Sequence, residues 1–183
     1  HHTVPMVSHG RDGKSFAPPA RLIDHKSGSV DGLGAGMGTM RPTLTAWGEH
    51  GIAAAWLDKR DFLSGYDVYA AFDPGTRTFG RNLKVQDSFG DNMAQWHALI
   101  VGDGAGRLVS LWDDARDGSP DVWLSEWDGA AFGDDVAVPA AHGAGAQSDP
   151  AATLDADGSL HVVWIDRDEA AGTRVRYARA ERK

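Results

Sequence analysis

The chain has 183 residues, 42% of them hydrophobic and 24% charged, with a formal net charge of −8 and a pI near 5.3. This is the composition of a globular domain with a real core; its acidity argues against a nucleic-acid partner, and no apolar stretch reaches the roughly 18 residues needed to span a bilayer. Cysteine is absent, which excludes disulfides and thiolate metal sites without choosing a compartment.

Residues 1–25 open His1-His2-Thr3-Val4, with no initiator methionine and no basic-then-apolar leader. That is the form of a processed chain or a piece of a longer one, and His1-His2 matches the end of a purification tag. Val4-Pro-Met-Val-Ser8 predicts a short strand, Asp12-Gly13-Lys-Ser-Phe16 a turn, and Ala20-Arg-Leu-Ile23 a second strand. The Gly/Ser-rich segment 26–40 predicts a long surface loop.

Three longer units follow, over 41–86, 96–138 and 148–183. Each opens with a strand: Pro42-Thr-Leu-Thr, His97-Ala-Leu-Ile-Val, or Pro150-Ala-Ala-Thr-Leu. A Gly/Asp turn comes next, then a strand ending at Trp56, Trp112 or Trp164. These tryptophans recur about every 50–56 residues, a spacing suited to large repeated units. After each comes Asp58/Arg60, Asp114/Arg116 or Asp166/Arg167, and then a third strand such as Asp67-Val-Tyr or Asp121-Val-Trp. A weak fourth strand, Asn82-Leu-Lys-Val or Val136-Ala-Val, completes the first two units. Nothing carries a sustained helical period.

Four short antiparallel strands per repeat make one β-propeller blade. The expected fold is therefore all-β: a partial propeller of four-stranded blades, half of a six-bladed ring. Residues 1–25 form a partial blade out of phase, and 148–183 a blade lacking its last strand. Such a half-ring exposes apolar flanks that soluble monomers seldom tolerate. A second copy of the chain, or a missing propeller half, is the expected partner, with Ala20–Ile23 a source for the absent strand after Tyr177.

The Trp-x-Asp-x-Arg pattern, the glycine turn and the Asp-Val-aromatic strand together resemble the blades of bacterial sialidase-like proteins. So do Asp12-Gly13-Lys-Ser15-Phe16, Asp73-Pro-Gly75-Thr-Arg-Thr78-Phe79 and Asp128-Gly129-Ala-Ala-Phe132, which are similar to that family's Asp box. Within such a turn the Asp is expected to cap backbone amides, the Gly to supply a positive φ, and the aromatic to pack between sheets. The resemblance implies a secreted, periplasmic or cell-surface protein, and a family of hydrolases, lectins and interaction platforms.

Sialidase-type hydrolysis requires three arginines around a carboxylate, an acid Asp and a Tyr–Glu nucleophile pair. Here Arg41-Pro42 lacks the family's spacing residue, Glu49, Glu126, Glu169 and Glu181 show no pairing, and Tyr69 and Tyr177 share an aromatic position with Trp123 that predicts packing. No catalytic set is assigned, and no cofactor motif or zinc spacing is present. Asp155-Ala-Asp157-Gly158 resembles the start of a calcium loop but reads better as a hairpin turn. The starts of the first strands differ between repeats and are expected to share one face with the Asp-x-Arg turns. Trp96 could stack on a sugar ring, with Arg41, His97, Asp149, Arg60 and Arg116 as polar partners for a glycan or protein ligand. The alternatives are that Trp96 fills a gap between blades and that the repeated Asp–Arg pairs are structural.

Overall fold

The computed structural model describes residues 3–24, 38–60, 65–87 and 93–181. The described residues are all-β apart from one short 3-10 turn, Pro139–Ala141, and every strand pairing within their sheets is antiparallel. A two-stranded hairpin comes first, β1 (Met6–Val7) with β2 (Ala20–Arg21). The second sheet runs in order through β3 (Thr39–Trp47), β4 (Gly51–Asp58), β5 (Asp67–Asp73) and β6 (Leu83–Lys84). The third repeats that order with β7 (Trp96–Gly102), β8 (Leu108–Asp114), β9 (Asp121–Glu126) and β10 (Val136–Ala137). The fourth has three strands, β11 (Ala146–Leu154), β12 (Leu160–Asp168) and β13 (Gly172–Ala180). Thr39 and Met40, expected in the loop, already belong to β3, while 26–37 lies outside the described residues.

The sheets stack face to face. In β4, Ala54 and Trp56 pack towards Leu22 and Ile23, whereas Ala53, Ala55 and Leu57 pack towards Ala98, Ile100, Leu108 and Trp112 of the third sheet. A strand covered on both faces loses the usual apolar–polar alternation and reads as a continuous hydrophobic run. Its three alanines leave the sheets close together. Next, Val109, Leu111 and Val122 pack against Leu160, Val162 and Trp164 of the fourth sheet. There the stack ends: β12 alternates buried and more exposed residues because its far face is open. Val175 is 78% exposed and Tyr177 59%.

The aligned tryptophans anchor a repeated polar device. The indole N–H of Trp56 donates to Asp58 at 3.1 Å, and that of Trp112 to Asp114 at 3.0 Å. Arg60 and Arg116 donate to the same carboxylates at 2.6 Å, then lie over the rings of Tyr69 and Trp123 at 3.9 and 4.2 Å. Each arginine thus ties the end of the second strand to the third. In the fourth sheet the partner changes. Arg176, from β13, donates to Asp166 at 2.7 Å, and Arg167 instead reaches Ser148. The register explains the change: Trp56 faces Tyr69 and Trp112 faces Trp123, but Trp164 faces Arg176. Tyr177 therefore falls one residue away from the packing position predicted for it, and it lies outside against His161.

A second device joins neighbouring sheets. The amide of Asp24 donates to Asn82 and the amide of Asn82 to Asp24, at 3.0 and 2.9 Å. Asp87 and Asp135 exchange the same two bonds one sheet later, at 3.0 and 3.2 Å. Arg60 reaches Asp24 and Asn82, and Arg116 reaches Asp135, so the in-sheet and between-sheet devices merge.

The Asp turns behave as local caps. Asp12, Asp73 and Asp128 each accept two backbone amides, and Gly13, Gly75 and Gly129 have φ of 69°, 95° and 105°. Phe79 and Phe132 pack between sheets as expected; Phe16 does not, at 63% exposed. Asp155 caps Asp157 and Ser159 in a hairpin turn. Ala20–Arg21 pairs with β1, and Leu22 and Ile23 are buried beside it, so within this chain they do not supply a fourth strand for β13.

Candidate functional site

The first strands β3, β7 and β11 stand side by side, β7 between the other two. Thr43 and Thr45 hydroxyls accept from the amides of Ile100 and Gly102 at 3.1 and 2.9 Å, fixing β3 against β7. Each first strand carries a bulge near its start, between Met40 and Thr43, Trp96 and Leu99, and Ser148 and Ala151. Within each bulge one non-glycine residue is left-handed: Arg41 at φ 53°, His97 at 49° and Asp149 at 56°. Such a conformation costs an L-residue about 1–2 kcal/mol, and bulges re-aim side chains. Thus equivalent strained positions in three repeats carry a guanidinium, an imidazole and a carboxylate.

Two of the three meet across the seam between the third and fourth sheets. His97 Nε2 lies 2.9 Å from Asp149 Oδ1, and its Nδ1 lies 2.7 Å from Asp113 Oδ1. The Asp149 amide also donates to Asp113, at 3.0 Å. Ser148 donates to Asp149 at 2.8 Å, and Arg167 approaches the same carboxylate at 3.7 Å. A neutral imidazole has one donor nitrogen and one acceptor. Both bonds to carboxylates therefore form together only when the ring is doubly protonated or a carboxyl holds the proton. Burial pushes the Asp113 carboxyl above its ordinary value, against the pull of His97 and of the Asp149 amide.

Beside this trio Trp96 is 40% exposed, with its ring 5.5 Å from that of Tyr66. Lys59 lies 5.8 Å from the Tyr66 ring. Trp96 therefore touches the neighbouring sheet and still offers an aromatic face to solvent. Arg41 holds the matching place on β3; it is exposed and, among the described residues, makes no side-chain hydrogen bond or ion pair. Arg60 and Arg116 are largely buried in the Asp58 and Asp114 pairs, with little surface left for a ligand.

Asp113, the buried centre of the trio, was not among the residues singled out in the sequence. Its signal is a break in the repeat: the residue after each aligned tryptophan is Leu57, Asp113 and Ile165. Elsewhere, clefts of about 510 Å³ beside Phe16 and about 660 Å³ between β10 and β13 are lined by other residues. Around the buried Asp113, Trp96 is exposed and Asp149 and His97 are partly so.

No protein-family model and no curated protein sequence matches the chain. Among solved structures it is similar to a Hadza microbial sialidase, Hz136, with a TM-score of 0.62 and 9% identity over 79% of this chain. A BT0996 RGII complex and a glycoside hydrolase align with TM-scores of 0.44 and 0.42, each at 12% identity over 80% of this chain and 54% of theirs. The chain spans 35% of the sialidase it matches. At that identity the likeness is one of fold: stacked antiparallel blades of a sialidase-like propeller.

Proposed function

We propose that this chain is a non-catalytic carbohydrate-binding segment of a sialidase-like propeller, with its ligand seated on Trp96, His97, Asp149 and Arg41. The observation that carries this reading is the set of three left-handed bulge residues of different chemistry on adjacent strands, two of them in contact at 2.9 Å, beside a half-exposed tryptophan. Aromatic faces stack on sugar rings, while charged and amphoteric neighbours fix hydroxyls or a carboxylate. Repeated positions that serve only as scaffold keep their chemistry from repeat to repeat, as Asp58 and Asp114 do. These three do not.

A glycan screen followed by titration tests the reading. Binding without turnover is expected, falling at least tenfold in Trp96→Ala. Equal binding by wild type and Trp96→Ala removes the site.

A second reading is favoured by Asp113, a buried carboxyl with a raised pKa beside another carboxylate. That is the environment of a general acid, so the chain could be part of a glycoside hydrolase whose other catalytic groups lie on another segment. Hydrolysis of a chromogenic sialoside that is abolished in Asp113→Asn supports this reading over the first.

The ring is proposed to close through a second copy of the chain or a separate propeller segment. The open face at Val175 and Tyr177 and the exposed Phe16 at the other end of the stack support this. Light scattering behind a sizing column separates the two: a mass of two chains is expected for closure by a second copy, while a folded monomer at micromolar concentration removes the second copy and leaves the separate segment as the partner.

A further inference from the structure

Among the described residues, the seam between the third and fourth sheets lacks the exchanged pair that joins the earlier sheets. Asp24 and Asp87 each lie three residues past the last residue of the preceding strand, β2 or β6. After β10 the same place is Ala140. A different group gathers there: Asp117 in the β8–β9 turn, Asp121 at the start of β9, and His142 just after the Pro139–Ala141 turn.

These residues are 25 positions apart at most and show no metal-binding spacing in the sequence, yet one ligand atom from each lies within 4.8 Å of the others. His142 Nδ1 is 3.2 Å from Asp121, and Nε2 is 3.9 Å from Asp117. The imidazole is held edge-on to Trp123 at 5.8 Å. Asp121 is buried, while the side chains of Asp117 and His142 are partly exposed.

The neighbouring repeat shows what this carboxylate position requires. Asp67 is the counterpart of Asp121: Asp67 faces Asp58 and Asp121 faces Asp114, where Asp58 and Asp114 each lie two residues past the aligned tryptophan. Asp67 has the Lys84 ammonium at 3.5 Å and the Gln86 amide beside it. Register puts Ala137 in the place of Lys84, and Pro139 follows in the place of Gln86. The third sheet has thus lost a cation and a donor, and it has gained an imidazole and a second carboxylate. The result is an imidazole nitrogen and two carboxylate oxygens converging on one place, where the Asp121 carboxylate keeps only the Gly143 amide and the His142 ring as partners among the described residues.

We propose that Asp117, Asp121 and His142 bind a divalent cation of the zinc type, which clamps the β8–β9 turn to the segment leading into β11. Imidazole and carboxylate donors suit zinc, at bond lengths of about 2.0–2.2 Å with water completing the shell. The ion ties down a path already stitched in place, where the Gly143 amide donates to Asp121 and the Gln147 amide to the Pro120 carbonyl. That path ends at Ser148 and Asp149, so the clamp also steadies the fourth sheet's share of the candidate site.

Zinc titration by calorimetry into the full chain, compared with Asp117→Asn and His142→Gln, tests the proposal. His1 and His2 are common to all three proteins, so their contribution cancels. Expected is one binding event in the wild type that is lost, or weakened at least tenfold, in both variants, with a zinc-dependent rise in Tm that Asp117→Asn does not show. Asp117 is half-exposed, so that variant folds even if His142→Gln does not. Equal stoichiometry and affinity in the wild type and Asp117→Asn overturns the site.

Discussion

Asp58 and Asp114 each accept from an indole two residues before and a guanidinium two residues after. The short spacing lets one carboxylate satisfy a buried Trp N–H and neutralise an arginine at once. Trp164 lacks this partner: its indole nitrogen is buried without a hydrogen bond, because Asp166 is taken by Arg176 and Gln147. A hydrogen bond to a charged group contributes about 1.5–3 kcal/mol. Trp112→Phe is therefore expected to cost about 2 kcal/mol more than Trp164→Phe, measured by urea unfolding at constant m-value. Equal costs would show that packing alone sets the tryptophan's contribution.

At the level of elements, the inner strands approach closely where β7 meets β3. A Cβ placed on Gly102 would lie 2.5 Å from the Ala46 carbonyl oxygen and 2.8 Å from a Leu108 methyl. Gly102→Ala forces the two sheets apart and is expected to cost about 1–3 kcal/mol, visible as a lowered urea midpoint. Arg41 offers the opposite case. With a left-handed backbone and no side-chain partner among the described residues, it should tolerate Arg41→Gly with a gain of up to about 1 kcal/mol. The same change is expected to weaken the proposed ligand, so stability and affinity move in opposite directions.

Strand order was readable because the tryptophans, the Gly/Asp turns and the Asp-x-Arg stretches recur together, and four strands per unit follow from their spacing. The two-residue fourth strands were visible only by analogy with one another. Register was not readable: one position separates Arg176 from Tyr177, and only the pairing opposite Trp164 decides which of them packs. Of the candidate site, Trp96, His97 and Asp149 stand out in the sequence by differing between repeats. Asp113 required comparing the residue after each tryptophan. His142 joins Asp117 and Asp121 through folding alone, since the chain places it 21 residues past the nearer one.

For the whole molecule, carboxyls shifted in opposite directions shape the response to pH. Burial raises Asp113, Asp121 and Asp135 above the ordinary 3.8. A raised carboxyl binds protons more readily in the folded state, so its stabilising contribution is present below 3.8 and is lost as pH rises through its folded value. Asp166, bonded first by Arg176, and Asp155, bonded first by His161, are lowered; their contribution holds above 3.8 and is lost as pH falls through their folded values. Unfolding at a series of pH values is expected to show greatest stability on the mildly acidic side of neutral, then a fall below pH about 4. Asp113→Asn should flatten the rise in stability as pH falls towards 3.8; an unchanged profile would mean that this carboxyl is not the source.

The exchanged pairs Asp24–Asn82 and Asp87–Asp135 act as rivets, and among the described residues they are spaced along the stack with none at its last seam. Under tension applied at the two ends, a riveted joint must break two bonds together, whereas an unriveted one can peel a contact at a time. The last seam is held instead by single bonds spread along it, from the Asp149 amide to Asp113, from His97 to Asp149 and from Arg107 to the Gly158 carbonyl, so in an optical trap β11–β13 is expected to come away in smaller steps than the sheets joined by exchanged pairs.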